Sequence, residues 1–188
     1  MEFNNQYIYD YLKARGINQL FHANTELTAS SFLNYRGIMS RGLMEQNNLP
    51  LTYQKSDEID KQFGVWNDIF LDDVDIHARA GKSNYYGNVL FCYATEILLT
   101  PGHAIYITKT NPIDWKSETN YFTDTREFES EYNIGTFEQM ITLKNSMTPL
   151  DFNGNIQRVI LDKNVSQAFI NHLNVSGLPY EIRNCHCC

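Results

Sequence analysis

The sequence is short of basic charge, of usable cysteine and of long apolar runs. Fifteen Lys and Arg face 22 Asp and Glu, a net charge of −7. Non-specific binding to nucleic acid normally rests on clustered Lys and Arg that displace counterions, so the global charge gives it no help. Of four cysteines, Cys92 stands alone in an apolar stretch and the other three crowd the last four positions, which is not the framework of a disulfide-stapled secreted domain. No stretch approaches the roughly 20 apolar residues of a membrane-spanning helix. The opening MEFNNQYIYDYLKARG has no basic region followed by an apolar run, so no export leader is expected and the cytoplasm is the expected compartment. The patterns G-x-G-x-x-G, G-x-x-x-x-G-K-[ST], H-E-x-x-H and G-x-S-x-G are missing as well, which removes most support for Rossmann dehydrogenases, P-loop enzymes, zincins and α/β-hydrolases.

What is there is aromatic and apolar. A chain of 188 residues, 43% hydrophobic with 12 Tyr and 11 Phe, is long enough to bury a core without staples and is expected to form one α+β domain over residues 1–188. Ile8, Tyr11 and Leu12 recur at helical spacing before Gly16, a helix stop. Gln19 to Ala23 predicts a short strand, followed by a helix capped by Thr25 or Thr28 that turns Phe32 and Leu33 inward and stops before Gly37. Ile38 to Leu43 reads as a further extended piece and Glu45 to Ser56 as a loop. Strands are expected at Asn88 to Tyr93 and His103 to Thr108, separated by a turn at Pro101-Gly102. A polar loop extends from Lys109 to about Tyr132. Two strands follow, one around Glu138 to Leu143 and one over Ile156 to Leu161, then a helix near Ser166 to Leu173 and a last strand at Tyr180 to Arg183.

From Asp57 to Asp75 the chain is acidic, with Asp57, Glu58, Asp60, Asp68, Asp72, Asp73 and Asp75 around Phe63, Trp66 and Phe70. A solvated face is the expected reading. A metal site from Asp72, Asp73 and Asp75 lacks the glycine and the distal glutamate of a calcium loop.

The residues that stand out chemically lie near the ends of predicted strands. His22 closes the first, in LFHAN, and Arg41 follows the next helix. Arg79 precedes the NYYGNVLFCY strand, with Tyr85, Tyr86 and Tyr93 around it. Glu138 lies among Phe137, Met140, Ile141 and Leu143 with no basic residue nearer than Lys144. Each has a plain structural explanation, as a hydrogen-bonded core histidine, surface charges or packed aromatics.

Their order carries a resemblance. LFHANTELTASSFLNYRGIMSRGL looks like the first strand, helix and second strand of the ADP-ribosyltransferase superfamily. DIHARAGKSNYYGNVLFCY resembles the part of DarT-type toxins where an arginine precedes a glycine and an apolar, aromatic strand, and FEQMITLKNSMTPLDFNGNIQRVIL resembles their catalytic-glutamate strand. The likeness spans about Gln19 to Leu161. It implies an ADP-ribosyltransferase-like fold of two packed, mainly antiparallel sheets with a few flanking helices, and NAD as substrate with no metal.

It further implies Glu138 and Arg79 as catalytic residues, with His22, Asn24, Arg41, Tyr86 and Tyr93 on the NAD. Glu138 would stabilise the oxocarbenium-like charge that develops when the nicotinamide–ribose bond breaks, and take a proton from the nucleophile. Arg79, or alternatively Arg41, offers a planar fork for the pyrophosphate, and a tyrosine such as Tyr86 or Tyr93 a face for the nicotinamide ring. In the loop before Glu138, Trp115, Tyr121 and Phe122 are candidates to stack on an unpaired base of a single-stranded RNA or DNA acceptor. A cognate antitoxin is the implied protein partner. A protein acceptor, or a catalytically inactive interaction module of the same fold, are the alternatives.

Two further features are weaker. The Cys185-His186-Cys187-Cys188 tail has no C-x-x-C partner for zinc and no aliphatic pair for prenylation, so a frayed tail is expected. A hydrolase built on Cys92 and His103 has nothing local to lower the thiol pKa.

Overall fold

The structure, a computed structural model, describes residues 4–76, 87–108, 111–115 and 140–183. Its described part is mixed α+β, with five α-helices and several antiparallel sheets.

Helix α1, Asn5–Ala14, starts at Asn4, whose side chain accepts from the N–H groups of Gln6 and Tyr7, and buries Ile8, Tyr11 and Leu12. Strand β1, Gln19–Asn24, leads into α2, Glu26–Asn34, with Thr25 at the N-cap position. After the two-residue strand β2, Gly37–Ile38, the expected extended piece is cut short. Ser40 takes an extended conformation, its hydroxyl accepts from the Leu43 N–H, and helix α3 begins, Arg41–Gln46. This is an N-cap signal, S-x-x, inside a stretch too short for apolar periodicity to reveal the helix. Helix α4 covers Asp57–Gln62 and strand β3 Ile69–Leu71. Strand β4, Val89–Ala94, is followed by a 3-10 turn at Thr95–Leu99 and by β5, Ala104–Ile107. The later elements are β6, Ile141–Lys144, β7, Leu150–Asp151, β8, Ile156–Asp162, helix α5, Gln167–Ser176, and β9, Tyr180–Arg183.

The largest sheet has the order β1-β4-β8-β9, antiparallel except for the parallel β8–β9 pair that α5 connects. A second sheet has the order β3-β6-β5, and β2 pairs with β7. Alternation along β1 and β4 divides the first sheet between two cores. Leu20, Val89, Phe91 and Tyr93 join the main cluster with Phe32, Phe152 and the second sheet's Ile69, Leu71 and Leu143. Phe21, Leu90, Cys92 and Ile160 face a smaller cluster with Ile76. A sheet buried on both faces explains the near-continuous apolar run VLFCY.

Among the described residues one bridge joins the two larger sheets. The Phe21 and Asp72 backbones exchange hydrogen bonds of 2.8 and 2.9 Å, so the middle of β1 adjoins the end of β3. That junction positions the site described next.

The acidic run is not the expected solvated face. Asp57, Asp60, Asp68, Asp72 and Asp73 are all buried, and Asp57 and Asp68 find donors inside the protein. Asp57 accepts from the Gln54 N–H, Asp68 from the Asn145 N–H at 2.9 Å, and Asp75 pairs with Arg183 at 2.5 Å. Among the described residues no group of three or more His, Cys, Asp or Glu is arranged to hold a metal, and no helix is long and apolar enough to cross a membrane.

Candidate functional site

The site is built around His22, the fourth residue of β1. Alternation turns it to the same side as Leu20 and Asn24, toward the space between the sheets, where it is half-buried beside Phe32 with ring centroids 5.8 Å apart. Its Nδ1 lies 2.9 Å from the Phe70 carbonyl of β3, and its Nε2 lies 3.4 Å from Asn24 Nδ2. Burial pushes the imidazole below its ordinary pKa, and the charge of Arg41 acts in the same direction against the opposing hydrogen bond to Phe70. A histidine so held is neutral at pH 7.

The β1–β4 pairing aligns His22 with Phe91 and Asn24 with Val89. Just before β4, Gly87 passes so close to the Asn24 backbone that a Cβ would sit 2.1 Å from the Asn24 carbonyl carbon, and its φ of 121° lies in the region that favours glycine. The end of β1 is thereby clamped where Asn24 acts.

Arg41, at the first turn of α3, is engaged from within the protein. It donates from Nη2 to the Thr52 carbonyl and to Asp57 Oδ2, each at 2.8 Å, with Asp57 Oδ1 at 2.7 Å. Asp60 and Asp68 lie in the same acidic group, and burial, first of all, pushes Asp60 up to about 6, with Asp57 and Asp68 adding to the rise against Ser56 and Arg41. Thr52 itself is held by Thr25 and Thr28 at the start of α2. A guanidinium already answered by a buried carboxylate is poorly placed to take a pyrophosphate, which would meet the same negative charges. Gly42 next to it admits the Asn67 side chain, whose Oδ1 would be 1.9 Å from a Cβ.

The structure brings His22 and Asn24 together and sets Arg41 near them, but seats two other sequence candidates in the core. Tyr93 is fully buried on β4, its hydroxyl donating to the Leu150 carbonyl at 2.9 Å and its pKa raised well above the usual range by burial. It packs on Phe152 and has no face for a ligand ring. Trp115 is 6% exposed, meets Phe63 edge-on at 5.2 Å and joins a core cluster with Val65. Glu138, Arg79, Tyr86, Tyr121 and Phe122, like the Cys185–Cys188 tail, lie outside the described residues. Cys92 is buried and its thiol is pushed up to about 12 by burial, the opposite of a nucleophile's environment.

Two groups of the site have no sequence signature. The Phe70 carbonyl is backbone, recognisable only once β3 lies beside β1. Asp57, the partner of Arg41, is one of seven acidic residues between Asp57 and Asp75, and nothing local sets it apart from the others. No protein-family model matches this sequence, and no curated protein is significantly similar to it.

Proposed function

We propose that this chain is an NAD-dependent ADP-ribosyltransferase of the DarT-like kind, transferring ADP-ribose to a base of single-stranded RNA or DNA. The observation that carries the reading is the neighbourhood of His22. The strand that holds its ring, β3, pairs with β6, with Phe70 opposite Thr142 and Leu71 opposite Ile141. Strand β6 begins three residues after Glu138. The histidine strand and the segment that follows the glutamate are therefore neighbours through one intervening strand, as a site sharing both residues requires.

In the proposed reaction the C–N bond between nicotinamide and ribose breaks, its electron pair leaves with nicotinamide, and an oxocarbenium-like carbon forms. A base nitrogen or oxygen of the acceptor bonds to that carbon and gives up its proton, which Glu138 takes. A neutral His22 suits a ribose hydroxyl. The pyrophosphate falls to Arg79, since Arg41 is committed to Asp57. Such an activity is toxic, and a neutralising antitoxin is the expected partner.

A protein acceptor is the second reading. The net charge of −7 and the burial of Trp115 favour it, because both weaken the case for a nucleic-acid grip. Incubation with labelled NAD and separate DNA, RNA and protein pools decides between them, with label expected on nucleic acid. Label on protein alone would replace the first reading by the second. Glu138→Gln is expected to lower NAD turnover by at least about 100-fold. Full turnover in that variant removes Glu138 from catalysis, and no turnover in the parent protein leaves an inactive module of similar fold.

A further inference from the structure

Strand β9, Tyr180–Arg183, is the last strand of the larger sheet, and among the described residues it pairs with β8 alone. The parallel register says which of its backbone groups face outward. The Val159 N–H donates to the Pro179 carbonyl at 2.9 Å, and Val159 stands beside Tyr180. Successive residues of a paired strand turn their N–H and C=O alternately toward and away from the neighbour. Glu181 and Arg183 therefore direct their backbone groups at β8, whereas those of Tyr180 and Ile182 point to the open side.

Such an edge is a template for another strand, and natural proteins commonly guard it with charge. Here both charges on β9 are answered within the chain. Glu181 meets Arg158 at 3.4 Å, and Arg183 meets Asp75 at 2.5 Å. Between them the Ile182 side chain is 51% exposed.

We propose that β9 pairs antiparallel with β9 of a second copy of this chain, about a two-fold axis at Ile182, so that the two larger sheets become one continuous sheet. Opposite residues of an antiparallel pair share a face, so a two-fold pair sets one residue against its own copy. With Glu181 or Arg183 on the axis, like charges meet at the close, non-hydrogen-bonded spacing, which is destabilising. With Tyr180 on the axis, Glu181 falls opposite Pro179 and neither charge gains a cross-strand partner. With Ile182 on the axis, the two Ile182 residues exchange both outward backbone hydrogen bonds, and Glu181 of each copy stands opposite Arg183 of the other. Charge then alternates across the junction, from Asp75 to Arg183 to the partner's Glu181 and the partner's Arg158. Two four-residue strands bury little area, so the association is weak and the monomer prevails in dilute solution.

The test is sedimentation velocity of the full-length protein, with a dimer expected to grow in as concentration rises from about 10 μM to about 1 mM. Because Ile182 opposes itself, Ile182→Lys and Ile182→Glu each set two like charges against one another. Each variant alone is expected to self-associate at least about 10-fold more weakly than the parent protein, and their equimolar mixture to dimerise again. Urea melts are expected to match the parent protein's, since the position is half exposed. A parent protein that stays monomeric over this range overturns the proposal. So does an undiminished dimer in either charged variant, or a mixture as monomeric as its components. Glu181→Gln is expected to weaken the dimer through loss of the pair with the partner's Arg183. A dimer strengthened by that change would place the axis at Glu181 and overturn the proposed register.

Discussion

Asp60 and Glu58 are two residues apart on α4 and meet opposite conditions. Glu58 is exposed, whereas Asp60 is buried and its carboxyl is pushed up to about 6. Sequence alone reads both as members of one acidic run, because charge counts do not say which side of a six-residue helix faces inward. The consequence for stability has a definite sign. A carboxyl whose folded pKa lies above its unfolded value of 3.8 contributes stability that is complete below about pH 4 and is lost as pH rises through about 6. The forfeited amount is on the order of 3 kcal/mol, from a shift of about two units at 1.36 kcal/mol each. Asp60→Asn is therefore expected to gain on the parent protein in urea melts between pH 4 and 7, with the difference level above that. A constant difference across the range would show that Asp60 does not titrate there. His22 acts in the other direction: its lowered pKa means that acid costs stability as pH falls through the ordinary histidine range, since the unfolded chain takes the proton first.

At the scale of elements, the long or strongly patterned pieces were legible. Helix α1, strands β1, β4, β5, β8 and β9, and helix α5 all begin and end within a residue or three of their sequence boundaries, since periodicity and stop residues act locally. Helix α3 was missed, because six residues are too few to show a period. The contacts between elements depend on close approaches that no pattern announces. Gly87 is such a point, with the Asn24 carbonyl carbon where a Cβ would be. Gly87→Ala is expected to cost roughly 3 kcal/mol or more, because the obstacle is backbone and the φ is strained for any other residue. Urea denaturation measures it, and a loss within about 0.5 kcal/mol would show that β1 and the approach to β4 separate easily.

For the molecule as a whole, β4 is the best-protected strand of the larger sheet. It lies between β1 and β8 and has a core on each face, while β9 is, among the described residues, paired along one side only and leaves Ile182 half exposed. Native-state hydrogen exchange is expected to be slowest at Val89–Ala94 and much faster at Tyr180–Arg183, since local opening follows burial and pairing. Equal rates in the two strands would mean that the sheet opens as one unit and that the burial of β4 has no separate energetic weight.

The sequence by itself determined that the described part is mixed α+β with an apolar core, where most of its strands lie, and that a histidine sits on the first of them. These follow from alternation, apolar content and turn residues, which are properties of neighbours along the chain. Only the tertiary structure decided that Tyr93 and Trp115 belong to the core, that Arg41 is answered by Asp57, and that the Phe70 carbonyl fixes the His22 ring. Each of those depends on groups brought together from distant positions, and burial, not residue type, sets what a polar side chain there does.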